Sequence, residues 1–394
     1  MTKVLMFGWE LFPFNSGGLG EACSHLTKSL SSKGIEITFI LPQKLPIKAD
    51  YMKIIYANVN EDTSLLPSVY LSSSADYLKR IRLEDFPPDY VKAALKFAKM
   101  TAGIIGKIDA DLIHAHDWLT YPAAIAAKEI LKKPLVVHVH STEFDRTGGH
   151  TPNPFVYEIE KAGFEKADMI LPVGGFMKDT IVTKYNVNPN KVRVIYNGID
   201  DENVPTLEPA LTEFKKAGNK IVLFLGRITL QKGPEYFVRA AKKVLHYNPK
   251  VIFVVTGSGD MQEFMIGETL RLGVFDKFVF TGFLRGGDRD RIFQAADLYV
   301  MPSVSEPFGL AALESIKNKT PVLVSKQSGV SEILKNALKT DFWDTDEMAN
   351  KILAVLKYKA LPKDLIKEGS KEIKNFNWSK SADKIVDVYN FLMH

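Results

Sequence analysis

The sequence predicts two doubly wound α/β domains arranged in series. Three observations carry that reading. The chain has 394 residues, more than one hydrophobic core normally supports. Short β-branched runs alternate with helical stretches, the rhythm of βα units and parallel sheets. That rhythm stops at a polar, proline-bearing stretch near residue 200 and restarts near residue 221.

In the first half, strands are expected at Val4–Phe7, Ile35–Ile40, Leu112–His114, Leu135–His140, Met169–Val173 and Arg193–Tyr196. In the second half they are expected at Ile221–Leu225, Val251–Thr256, Phe278–Thr281, Leu298–Met301 and Val322–Ser325. Asp200 to Lys216 holds Pro205 and Pro209 among polar residues and reads as the linker, so the domains are placed at 1–203 and 204–377. A last helix runs from about Ser379, its expected N-cap, to Phe391. Ala382, Ile385, Val386, Tyr389 and Leu392 share one of its faces, and that apolar face needs a partner from one of the two domains.

Bulk properties exclude several classes. The composition, 46% hydrophobic and 25% charged, is that of an ordinary globular protein. A net charge of +5 leaves no dense basic stripe, so no nucleic-acid partner is expected. The single cysteine, Cys23, rules out an intrachain disulfide framework and suits a reducing cytoplasm, the expected location. Met1 leads directly into an apolar strand, without the ordered regions of a signal peptide. The longest apolar runs, such as Ile221–Leu225, are too short to span a bilayer, so any membrane association is expected to be peripheral.

The motifs fall at the carboxyl ends of predicted strands, where doubly wound sheets bind ligands. Gly17-Gly18-Leu19-Gly20 follows the first strand and opens a helix. Glycines there admit close backbone approach, and a helix N-terminus presents N–H groups to phosphate; a plain tight turn is the competing reading. After the strand at 221–225 come Gly226-Arg227 and Gln231-Lys232-Gly233. Arg227 as a fork and Lys232 as a point charge can neutralise a diphosphate, although surface loops often carry two cations. The sharpest signal is Glu306-Pro-Phe-Gly-Leu-Ala-Ala-Leu-Glu314. It sets Glu306 in a loop stiffened by Pro307, starts a helix near Gly309 or Leu310, and places Glu314 about one turn inside. Two carboxylates able to hold hydroxyls, flanking a phosphate-ready helix end, describe a nucleotide-sugar site. Two acidic residues could otherwise be surface charge.

His114-Ala-His116-Asp117-Trp118 and His138-Val-His140 end two strands of the first half. Alternation places each pair on one face, and paired histidines can bind a metal, as in some hydrolases. That reading leaves the second half unexplained. The inner histidines, His114 and His138, read as satisfied core residues, and His116 and His140 near the strand tips are the candidates. Ser141-Thr142-Glu143-Phe144-Asp145-Arg146 is either an acceptor pocket or a polar loop. The triplets Asp109–Asp111, Asp288–Asp290 and Asp344–Asp346 can hold a metal, but capping is the commoner role at such places. With Arg227 and Lys232 available, no metal and no other cofactor is required.

Assembled, these residues resemble the retaining family 4 glycosyltransferases of the GT-B fold, near the glycogen or starch synthases. The resemblance covers nearly the full length. It adds Tyr196-Asn197-Gly198-Ile199-Asp200 to the motifs above. It implies two Rossmann-like domains facing across a cleft, an acceptor domain first and a donor domain second, with the last helix (378–394) crossing back onto the first. By the same likeness, Arg227 and Lys232 bind the donor diphosphate, Glu314 the ribose, and Glu306 with the Phe308-Gly309-Leu310 backbone the sugar hydroxyls and distal phosphate. His140 sits beside the anomeric carbon, Gly257 with Phe283 and Leu284 lines the base pocket, and Gly17, Gly18 and Leu19 belong to the donor site. His116 and Asp117 fall on the acceptor side. The implied partners are a nucleoside-diphosphate sugar and an oligosaccharide or polysaccharide acceptor.

The implied reaction retains anomeric configuration by same-face attack, with glucose as the leading sugar. Asn15 departs from the pattern, because ADP-glucose glycogen synthases carry a lysine there. An ADP-glucose polymerase is thereby disfavoured; a glycosyltransferase is not. The alternatives are a mannosyl or N-acetylglucosaminyl transferase with a lipid or small-molecule acceptor, for which Lys79, Arg80, Arg82, Lys92, Lys96 and Lys99 would form a membrane-facing patch, a metal-dependent hydrolase, and a silent nucleotide-sugar binder.

Overall fold

The computed structural model describes residues 1–14, 17–58, 89–200, 215 and 217–394. It divides into two compact units, Met1–Gly198 together with Trp378–His394, and Ile199–Asn377. The boundary expected at 203/204, with Pro205 and Pro209, lies outside the described residues, as do Asn15, Lys79, Arg80 and Arg82.

The first unit holds a six-stranded, all-parallel sheet: β1 (Lys3–Phe7), β2 (Glu36–Leu41), β3 (Lys53–Tyr56), β4 (Leu112–His116), β5 (Leu135–Val139) and β6 (Met169–Pro172), in the order β3-β2-β1-β4-β5-β6. The second unit repeats it with β7 (Lys220–Leu225), β8 (Val251–Thr256), β9 (Phe278–Gly282), β10 (Leu298–Met301), β11 (Val322–Ser325) and β12 (Leu338–Thr340), in the order β12-β11-β10-β7-β8-β9. Helices cross between most successive strands, whereas β2 runs to β3 through irregular backbone. Burial on both faces explains why β1, β4, β5 and β10 read as near-continuous apolar runs.

Two departures from expectation have simple causes. Arg193–Tyr196 is not a strand. Its amides donate to β6 (Arg193 N–H to Ile170 O at 2.9 Å and Ile195 N–H to Pro172 O at 2.9 Å), but only Val192 forms a bridge and nothing continues the ladder. The short edge strands β3 and β12 were not expected, because neither shows a strong apolar run; β3 is half-exposed along its length.

The last helix spans Trp378–Met393, so Trp378 is already helical. Ser379 sits in the first turn instead of capping it, and its hydroxyl accepts a hydrogen bond from Lys33 Nζ at 3.0 Å. The helix belongs to the first unit and packs on the helix Gly18–Ser32. Trp378 stacks on His25, with ring centroids 5.6 Å apart, and Lys33 pairs with Asp383 at 2.5 Å. Ala382, Ile385, Val388 and Tyr389 are buried, whereas Val386 and Leu392 are only half-buried. The Tyr389 hydroxyl meets His114 Nδ1 at 2.5 Å.

Each Asp-x-Asp triplet is engaged within the protein. Asp109 and Asp111 hold Lys3, Asp288 pairs with Arg291, and Asp290 accepts from Asn318. Asp344 caps the helix Thr345–Lys357, and Asp346 pairs with Lys243. Among the described residues no helix is long and apolar enough to cross a membrane.

Tyr389→Phe should lower first-unit stability by about 1–3 kcal/mol, because it strands the buried His114 Nδ1. Urea unfolding at pH 8 checks this: the midpoint should fall with an unchanged slope.

Candidate active site

Strand order reverses between β1 and β4 in one sheet and between β10 and β7 in the other. In both units the motif residues gather at the carboxyl ends beside that reversal, where crossovers diverge to opposite faces and leave a crevice.

In the second unit, backbone meets backbone closely. A Cβ on Gly257 (φ +136°) would lie 1.9 Å from Gly226 O, and one on Gly233 (φ +64°) would lie 2.2 Å from Pro302 O. These contacts bring the loop after β7 against those after β8 and β10. Val304 N–H adds a hydrogen bond to Gln231 O at 2.9 Å. Lys232 ends a short 3-10 turn here, and its ammonium forms an ion pair with the Glu306 carboxylate, which Ser303 Oγ also approaches at 3.4 Å. Glu306 is held from the other side by the loop after β11: its N–H donates to Gln327 O at 3.1 Å and its carbonyl accepts from Gly329 N–H at 2.8 Å.

Phe308 is buried, and its carbonyl accepts from Val330 N–H at 2.6 Å. Gly309 (φ +110°) then starts the helix Leu310–Lys317, whose N-terminus no side chain caps. Glu314 lies one turn in and pairs with Arg289 at 3.0 Å. Gly257 N–H donates to Gly282 O at 2.9 Å, which joins it to the loop bearing exposed Phe283 and half-buried Leu284. The Arg285 guanidinium lies 5.1 Å from the Phe283 ring centroid. Arg227 is half-buried in the loop after β7. All the second-unit candidates therefore share one end of one sheet. Sequence reasoning missed Arg289, Ser303 and Gln327, which hold the two glutamates; no local motif marks them.

In the first unit, Gly17 is extended and Gly18 opens the helix. Gly20 N–H is already taken, by the buried Glu10 carboxylate at 3.2 Å. Glu10 thus partly fills the anion-seeking end of this helix, a role that ten residues of separation concealed.

The four histidines form one packed group, and the register His116↔His138 places them on a single face. His114 and His138 stack at 5.4 Å and 4°, and His138 and His140 at 4.6 Å. His116 Nδ1 meets His140 Nε2 at 3.1 Å. His138 is buried, but neither ring nitrogen finds a hydrogen-bond partner among the described residues, so it is not the satisfied core residue expected. Burial pushes His116 down to about 3. Burial first, and neighbouring imidazoles second, hold His114, His138 and His140 well below the usual histidine range.

Asp117 (φ +60°) is buried at the tip of β4 and accepts from His140 N–H at 2.6 Å and Ser141 N–H at 3.4 Å. Burial raises its carboxyl to about 7 against the pull of Arg146 and those amides. In the following loop, Thr142 caps the single turn Glu143–Arg146. Arg146 is buried between Glu143 (2.8 Å) and Glu160 (2.5 Å) and donates to Ser141 O at 3.0 Å. Glu143 and Arg146 are thus framework groups beneath the loop, not an acceptor lining.

The comparisons with known proteins agree along the whole chain. A family model described as Glycosyl transferases group 1 matches residues 212–372, and one described as Glycosyltransferase Family 4 matches residues 16–203. An uncharacterized glycosyltransferase of Methanocaldococcus jannaschii is 31% identical over 99% of this chain and 98% of its own. The chain is a family 4 glycosyltransferase. This glycosyltransferase is also similar to the glycogen synthase of Mycobacterium tuberculosis, with 26% identity over 85% of the chain and 80% of the relative. Its fold matches the solved sucrose-phosphate synthase of Thermosynechococcus elongatus, with a TM-score of 0.78 at 20% identity, covering 100% and 99% of the two chains. The two parallel six-stranded sheets are thus those of the GT-B class, and the protein is an enzyme of the hexosyltransferase type.

The stacked histidines predict an acid-dependent cost. Unfolded histidine takes a proton near pH 6.5 while buried His138 does not, so the unfolded state binds more protons and His138-linked stability is lost as pH falls below 6.5. Comparing His138→Phe with the parent by urea unfolding at pH 8 and pH 5, the difference should move by about 2 kcal/mol in favour of the variant at pH 5.

Proposed function

We propose that this enzyme transfers a hexose, glucose first among them, from a nucleoside-diphosphate sugar to a glucan or other sugar acceptor, with retention and without a metal. The observation that carries this reading is the Lys232–Glu306 pair beside the uncapped N-terminus at Leu310. A cation, a carboxylate and a helix end within one loop cluster offer a diphosphate and a neighbouring hydroxyl their complementary partners at once. In this reading the incoming donor exchanges the internal pair for external ones: the diphosphate takes Lys232 and Arg227, and the sugar hydroxyls take Glu306. Glu314 holds the ribose, Gly257 with Phe283 and Leu284 borders the base, and Gly17–Leu19 lies on the donor's phosphate side.

His140 is kept neutral by its surroundings, so it offers the developing oxocarbenium ion a lone pair or a dipole without adding positive charge. Asp117 holds the His140 backbone, and His116 holds its ring. The departing phosphate accepts the acceptor's proton on the same face, so no protein nucleophile is needed, and stabilising that leaving group is the main catalytic contribution. The similarity to a glycogen synthase supports a glucan acceptor. The single buried thiol fits a reducing cytoplasm.

The test is nucleotide release from a panel of ADP-, UDP- and GDP-hexoses, with EDTA present, with and without maltooligosaccharides. Acceptor-dependent release from one donor is expected; release from none would sink the reading. Glu306→Ala, Lys232→Ala and His140→Ala should each lower kcat by about a hundredfold or more while leaving the circular dichroism spectrum unchanged. Full activity in all three would remove the site assignment.

A further inference from the structure

Cys23 has no place in the transfer reaction, yet it lies among the histidines. It is fully buried on the helix Gly18–Ser32, one turn past the glycine loop. One ligand atom from each of Cys23, His116 and His140 falls within 4.8 Å of the others. A tetrahedral zinc site with bonds of about 2.0–2.3 Å separates its ligand atoms by about 3.3–3.7 Å. The three side chains therefore need to draw in by only about 1 Å, and His116 Nδ1 and His140 Nε2 already stand 3.1 Å apart.

Two further observations point to a ligand. The His116 ring is buried with Nε2 unpartnered among the described residues, so rotating or re-tautomerising that ring sacrifices no hydrogen bond at Nε2. The buried Asp117 carboxyl accepts from the His140 and Ser141 amides, which fixes the backbone that carries His140. His114, His116 and His138 also bring one nitrogen each within 4.8 Å of the others, but His114 Nδ1 is engaged by the Tyr389 hydroxyl and that set holds no thiol. His116 and His140 are tilted by 34° and face each other.

We propose that Cys23, His116 and His140 form a binding site for a soft divalent cation of the zinc class, and that filling it arrests sugar transfer by withdrawing His140. Binding breaks the Cys23 S–H bond and forms a metal–thiolate bond, releasing one proton to solvent. Each imidazole binds as its neutral tautomer through the nitrogen facing the metal, and water completes the tetrahedron. The inhibitory consequence rests on the catalytic role proposed for His140; the site itself does not.

Cobalt(II) titration of the chelator-treated protein tests the site directly. One cobalt per chain is expected, with intense d–d bands of a tetrahedral site and a near-ultraviolet thiolate charge-transfer band. Because Cys23 is the only cysteine, that band has a single source. Cys23→Ser and Cys23→Ala should both abolish it, keep transfer activity in EDTA, and raise the zinc concentration for half-inhibition by at least about tenfold. Absence of the charge-transfer band in the folded parent overturns the proposal, as does equal zinc inhibition in parent and variants. A chain that shows the band but transfers no sugar keeps the site and loses the proposed function; one that transfers sugar without the band does the reverse.

Discussion

Everything in this enzyme is arranged around the reversal of strand order within an all-parallel sheet. A parallel sheet cannot use hairpins, so each strand is followed by a crossover that must land on one face. Where the order turns back, at β1/β4 and at β7/β10, successive crossovers leave on opposite faces and the strand ends between them stay open. The chain uses those openings twice, with different chemistry. At β7/β10 it places charges and glycines, and at β1/β4 it places neutral imidazoles. The same topology therefore presents one charged environment and one lined by neutral imidazoles.

The pairing of opposite charges shows how tightly the second site is specified. Lys232 and Glu306 are 74 residues apart, and each comes from a loop fixed by glycines that admit no Cβ. Without a donor the pair neutralises itself, so neither charge is left uncompensated at the strand ends. Under the proposed function, a ligand that offers both an anion and hydroxyls would replace the internal pairing in full. In that same reading, one that offers only one of them leaves a charge without its partner, and selectivity would arise from the pair rather than from either residue.

The fold was legible because short apolar runs, mostly of four to six residues, mark strands buried on both faces. It became illegible where strands thin out at the sheet edges. Lys53–Tyr56 and Leu338–Thr340 give too little signal, and Arg193–Tyr196 looked like a strand but has hydrogen bonds on one side only. The site residues lie in local motifs and so could be named. Their partners could not, because partnership is a matter of tertiary distance: Arg289 for Glu314, Tyr389 for His114 and Glu10 for Gly20 N–H. The two readings of Ser141–Arg146 were inseparable for the same reason, since Glu160, which turns Arg146 inward, lies 14 residues further on.

The return of residues 378–393 to the first unit has a consequence for how the chain is made. During vectorial synthesis the ribosome delivers the whole first sheet early, but the hydroxyl that partners His114 Nδ1 arrives 275 residues later. The second unit is contiguous and can close as it emerges, whereas the first waits with one apolar face uncovered until the last turns are released. A chain ending at Asn377 would therefore carry the whole second unit and a first unit without its last helix. The first unit is thus tied to a segment encoded after the entire second unit.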